Sequence, residues 1–155
     1  MGRCSRWGTG ISGALIFDGI SFSFTGCVSV KLMDAVNAYM AAEEMSVLVW
    51  GYDLALALFK LMRVLQADVD FYVCRERELV LKYAATDGGN VRLSERGTFE
   101  FRDPSEGPEY ERERAELGAA DAGASPALFV VRAPGEVKPC WLAALDGFIE
   151  FMSDG

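Results

Sequence analysis

Two carboxylates, Asp68 and Asp70, have the D-x-D spacing that can hold a divalent cation. They fall between a stretch of helical period and a stretch of alternating period, where Asp is common as a solvated turn residue. The spacing alone therefore assigns no metal. Gly8, Gly10 and Gly13 complete a G-x-G-x-x-G pattern. A dinucleotide site needs a strand before that pattern and a helix after it. Neither is expected here, so the glycines read as an N-terminal arm.

Four cysteines, Cys4, Cys27, Cys74 and Cys140, form no C-x-x-C pair. Zinc-knuckle and dithiol redox spacings are thus absent, and the cysteines read as four reduced thiols, two or more of them packing as small hydrophobes. Cys74, beside Arg75 and Arg77, is the best candidate for a reactive thiol, because adjacent positive charge favours thiolate. Arg75, Arg77 and Lys82 also mix with Tyr72 and Tyr83, a combination that can stack single-stranded nucleic acid. Glu76 and Glu78 interrupt it, and cross-strand ion pairs are the simpler reading.

The chain contains no histidine. That removes the Ser-His-Asp and Cys-His couples and the common His-bearing metal sites. An enzyme built on this sequence would have to use carboxylates, Lys, Tyr or Cys. No such constellation rises above background. The expectation is a protein that is not an enzyme and has neither cofactor nor metal. The enzymatic alternative would rest on Asp68, Asp70 and Glu76 with a magnesium ion.

The densest chemistry is acidic. Asp103, Glu106, Glu109, Glu111, Glu113, Glu116 and Asp121 face only Arg112 and Arg114 within one segment. Five of the eight net negative charges of the 155-residue chain lie there. Clustered carboxylates steer a cationic partner and raise its association rate. Tyr110, inside the cluster, is of the type enriched at interface hot spots. Asp103, Glu106, Glu109, Tyr110, Glu111, Glu113 and Glu116 are therefore the expected partner-binding residues.

These residues need elements to position them. Asp18-Gly19 between apolar runs signals a hairpin, and Ile20, Phe22 and Phe24 alternate with polar residues over 14–25. Residues 30–44 carry Leu32, Val36, Tyr39 and Met40 at helical spacing. Residues 46–50 read as a short strand and 54–66 as a helix capped by Asp53; the rival is one long helix through Gly51. Residues 69–83 alternate like a strand, Asp87-Gly88-Gly89-Asn90 reads as a turn, and Phe99 and Phe101 mark a further strand. Residues 103–126, rich in Pro and Gly, read as a surface insertion with one or two helical turns near 110–117. Residues 128–131 suggest a strand, and 141–152 a helix with a wide apolar face.

The sum is one α+β domain over 1–155. Its antiparallel sheet comprises an N-terminal hairpin and a central meander, with two or three helices packed on one face. No long apolar span is present, so no membrane role is expected, and the cytoplasm is the default compartment. Acidity argues against direct nucleic-acid binding. The functional expectation is a small acidic protein that inhibits or neutralises a basic protein. Two settings suit that chemistry: immunity against a cognate toxin, and phage-type inhibition of a nucleic-acid-handling defence complex. A third class is an assembly subunit, with Phe22, Phe24 or Trp141 forming a homo-oligomer interface.

Overall fold

The structure, a computed structural model, describes residues 29–123 and 128–153. The hairpin expected at 14–25, the glycines of the arm, Cys4 and Cys27 lie outside the described residues. The described chain is mixed helix and strand and mainly helical. Its elements are α1 (Leu32–Ser46), α2 (Tyr52–Tyr83), β1 (Thr86–Asp87), β2 (Asn90–Val91), α3 (Gly107–Ala119), β3 (Phe129–Arg132), α4 (Pro139–Leu145) and β4 (Ile149–Met152). None of the described helices is long and apolar enough to cross a membrane.

Helix α1 lies at the centre, against α2, α3 and α4. Its inward surface is built on Ala35, Ala38, Ala41 and Ala42, all buried, together with Leu32, Val36 and Met45. Small side chains let neighbouring backbones approach closely, so contact extends around more of the helix than a single stripe would allow. This alters the expected face: Met40, placed on it by spacing, is exposed. The strand expected at 46–50 does not form. Helix α1 runs to Ser46, and a short connector joins it to α2. Gly51, not Asp53, is the residue preceding α2; Asp53 lies in the first turn, where a carboxylate favours the helix dipole.

Helix α2 has 32 residues, about 48 Å at 1.5 Å rise per residue. It contains the helix expected at 54–66 and continues through 69–83, where a strand was expected. The core stripe Leu54, Leu58, Leu61, Leu65, Tyr72 and Tyr83 keeps one helical face from end to end. Asp68 and Glu76 fall on that same face. Asp68 Oδ1 accepts the Gly123 N–H at 2.8 Å, and Glu76 Oε1 accepts from Arg114 Nε at 2.9 Å. These polar residues on the stripe are what made it read as a turn followed by a strand.

The expected meander survives only beyond residue 83. Strands β1 and β2 pair antiparallel across Gly88 and Gly89, in the tetrapeptide expected as a turn; their φ values of 56° and 86° make it a primed one. Isolated bridges Leu93↔Phe99 and Ala84↔Phe101 continue the antiparallel ribbon. At the C-terminus, β3 and β4 pair in parallel through α4. The helix expected over 141–152 is therefore cut at Leu145. Gly147, at φ 82°, takes the left-handed conformation that terminates it. The described residues thus hold two separate two-stranded sheets, one antiparallel and one parallel, in place of one antiparallel sheet carrying helices on a single face.

Candidate functional site

The acidic segment is a packed helix rather than a loop. It opens with a 3-10 turn, Pro104–Glu106, capped by Asp103, whose Oδ1 accepts the Ser105 N–H at 2.9 Å and its hydroxyl at 2.8 Å. Pro108 follows in the first turn of α3, where a missing N–H costs nothing. Helix α3 then lies across α1 and the C-terminal half of α2. Its far end is tied to the start of α1: Leu32 N–H donates to Ala120 O, and Ala122 N–H to Val30 O, each at 2.8 Å. Asp121 adds an ion pair with Lys31 at 2.9 Å and accepts the Ser29 hydroxyl. Residues 124–126, the end of the expected insertion, lie outside the described residues.

The expected site residues separate into two groups. Tyr110 faces inward and is 7% exposed. Its ring meets Tyr83, Phe99 and Phe101 at centroid distances of 5.8, 5.1 and 5.6 Å, edge-on in each case. It anchors α3 to the ribbon and is no surface anchor for a partner. Glu113 also faces the fold. Its Oε1 accepts from Lys82 Nζ at 2.6 Å and from the Tyr83 hydroxyl at 2.7 Å. Glu106 is half-buried, and its Oε2 is enclosed with no hydrogen-bond partner among the described residues.

Asp103, Glu109, Glu111 and Glu116 remain exposed, with Arg112 as the one exposed cation of residues 103–119. Arg112 reaches both Glu109, at i−3, and Glu116, at i+4. Such helix pairs contribute only a few tenths of a kcal/mol each. They do fix the carboxylates along one ridge. Glu111, on another flank of α3, has no hydrogen-bond or ion-pair partner among the described residues.

The remaining candidates disperse. Asp68 and Asp70 lie on α2, with Asp70 accepting from Gln66 Nε2 at 2.9 Å. Among the described residues no group of three or more Cys, Asp or Glu is placed to hold a metal ion. Cys74 and Cys140 are exposed free thiols, so neither is one of the two or more cysteines expected to pack as small hydrophobes. The basic-aromatic mixture lies on a helix, not a sheet. Tyr72 and Tyr83 turn inward, while Arg75 pairs with Glu78 and Lys82 with Glu113. Trp141, which the assembly alternative would place at an exposed interface, is buried, and its indole N–H donates to Glu44 at 2.8 Å. Compared with protein-family models, curated proteins and solved structures, the chain matches none of them.

The contacts that seat α3 titrate. Lys82 and Tyr83 hold the Glu113 carboxyl below the usual range, Arg112 does the same for Glu109, and the Ser105 amide for Asp103. A carboxylate whose folded pKa is depressed contributes stability that is complete above its unfolded value and lost as pH falls through the folded one. At the other extreme, Lys82 is raised by Glu113, Tyr83 is raised first by its bond to Glu113, and burial raises Tyr72 and Tyr110. Their contribution is complete below the unfolded values near 10 and is lost as pH rises through the folded ones. A thermal-melt series is therefore expected to show a plateau around neutrality, falling below about pH 4 and above about pH 10. Ultraviolet titration of the tyrosines should show a delayed fraction. A melting temperature independent of pH across both edges would show that these contacts do not seat α3.

Proposed function

We propose that this chain is a binding protein that neutralises a basic protein, with the outer ridge of α3 supplying the electrostatic attraction. One observation carries the reading. The exposed positions of residues 103–119 present four carboxylates against Arg112 alone: Glu109 and Glu116 along one ridge of α3, Glu111 on another flank, and Asp103 in the turn before it, with the inward side of the helix fixed by Tyr110 and Glu113. A rigid charged ridge gives directional steering, since the potential keeps one orientation relative to the fold. Immunity against a toxin and inhibition of a nucleic-acid-handling defence complex both present such a basic partner.

The geometry also selects the residues to change. Reversing Glu113 would break its bonds to Lys82 and Tyr83, and so would disturb folding and binding together. The clean set is Glu109→Gln, Glu111→Gln and Glu116→Gln. The full chain would be used to capture proteins from its source cells at low salt, and the captured protein re-tested pure. The expected partner is basic, its affinity falls steeply with salt, and the triple variant slows its association at least tenfold. Folding should change by no more than about 0.5 kcal/mol per site. An unchanged association rate would remove α3 from the interface.

A further inference from the structure

A second surface, far from α3, combines features that folding alone does not require. The connector between α1 and α2 leaves Val47 81% exposed, Val49 fully exposed and, at the start of α2, Tyr52 78% exposed. Met40 and Leu48 are exposed beside them. Met40, Val47 and Leu48 form the apolar wall of an open groove of about 770 Å³ that Trp141 also lines. Contiguous apolar surface of this kind marks interaction sites more often than isolated exposed residues do.

The rim of the groove is acidic. Glu43 and Glu44 occupy the last turn of α1, which contains no basic residue. Carboxylates at a helix C-terminus oppose the macrodipole. Asp53 is exposed on the far side of the connector. Among the described residues the one cation lining the groove, Lys138, lies over the Trp141 ring, 4.7 Å from its centroid. Exposed valines and unfavourable helix-end charge thus coincide at one tip. Local rules broken together are expected at functional sites.

We infer that this tip is a docking site for a basic amphipathic helix of another protein. The helix would lay apolar residues against Met40, Val47 and Leu48 and direct Lys or Arg toward Glu43 and Glu44. Charge argues against the other occupants. A second copy would bring its own net charge of −8 and, in a two-fold pairing, the same acidic rim. An anionic membrane surface would be repelled likewise. The tip lies about 30 Å along α2 from the turns that carry α3, at 1.5 Å per residue. This site and the α3 ridge therefore stand or fall separately.

The test uses the full chain, labelled with nitrogen-15, and a synthetic Leu/Lys amphipathic peptide as probe. A peptide with Glu in place of Lys serves as control. The Leu/Lys peptide should shift amide signals of residues 40–52 and the Trp50 and Trp141 indole signals. Val47→Ser with Val49→Ser should weaken binding at least tenfold; both residues are exposed, so the fold is retained. Glu43→Gln should weaken it several-fold and flatten its salt dependence, while Glu109→Gln with Glu111→Gln and Glu116→Gln leaves it unchanged. The inference is overturned by shifts confined to α3, by equal binding of the Glu peptide, or by no binding. Self-association of the free chain that Val47→Ser with Val49→Ser abolishes would also overturn it, in favour of a second copy.

Discussion

Phe148→Ala is expected to destabilise the protein by about 3–5 kcal/mol, the range for removing a fully buried Phe. The side chain is 4% exposed and lies in the cluster formed by Trp141, Leu145, Val131 and Ile149. Its position depends on two backbone anchors. Its N–H donates to Leu145 O at 2.9 Å, closing the end of α4, and its carbonyl accepts the Phe129 N–H at 2.9 Å, opening the parallel pair. Gly147, with φ 82°, turns the chain between them. Truncation would leave a cavity where α4 and the β3–β4 pair meet the core, and the fixed backbone limits collapse into it. Met152→Ala, on the exposed side of β4, is the matched control and should cost no more than about 0.5 kcal/mol. Urea unfolding of both variants would check this. Equal costs would mean that the C-terminal pair does not seat on the helices as described.

The same residue shows what could be read from the sequence. Leu145, Phe148 and Ile149 are buried as the apolar spacing implied, yet the element carrying them changes from helix to strand between the first and the last. Spacings of three and four from Trp141 to Met152 fit a helix, and within that run Ile149-Glu150-Phe151 also fits a period of two. The information that separates the two is Gly147, and glycine just past a helix is a stop signal. The long apolar run on both sides of it masks that signal.

The second half of α2 is hidden from the sequence for a different reason. Periodicity finds a helix when its buried face is apolar. The middle of this one carries polar contacts on its inward face, Asp68 to the Gly123 amide and Glu76 to Arg114, and both partners come from distant sequence. Without them, Asp68-Val69-Asp70 looks like a turn and Phe71 to Cys74 like alternation. The turn at Gly88-Gly89 was legible because its requirement for positive φ is local.

The candidate site divides along the same line. Its charge was legible, since composition suffices for that. Which side of α3 faces water was not. Tyr110 reads equally as an interface anchor or as core, and only the ring contacts with Tyr83, Phe99 and Phe101 decide for core. Glu113 reads like its neighbours until Lys82 and Tyr83, about 30 residues earlier, are brought against it. The α1–α2 tip was missed because Val47, Leu48 and Val49 look like a buried strand. Apolar residues in such a run imply burial, whereas the alanines of α1 close the core without them.

The second large effect tests how α3 is seated. Gly118 is buried, and a Cβ built on it would meet Met33 Cβ at 3.2 Å and Met33 Cε at 3.3 Å. The far end of the Met33 side chain can move, but its Cβ is fixed to α1. Gly118→Leu is therefore expected to push α3 away from α1 and to cost about 1–3 kcal/mol by overpacking. The gain in helix propensity on leaving Gly, about 1 kcal/mol, offsets part of this. Displacement should also slacken the Lys82–Glu113–Tyr83 contact, so Tyr83 should titrate nearer its ordinary value. Met33→Ala removes the movable atoms and leaves Cβ in place. In that background the cost of Gly118→Leu should fall by about 0.5 kcal/mol or more, a coupling expected only of residues in contact. Gly118→Ala separates the two terms: it adds only the Cβ, so the gain in propensity acts against the 3.2 Å contact alone. Additive costs for Gly118→Leu and Met33→Ala, with the Tyr83 titration unchanged, would show that α3 does not press on α1 at this point. The rigid acidic ridge would then lose its support.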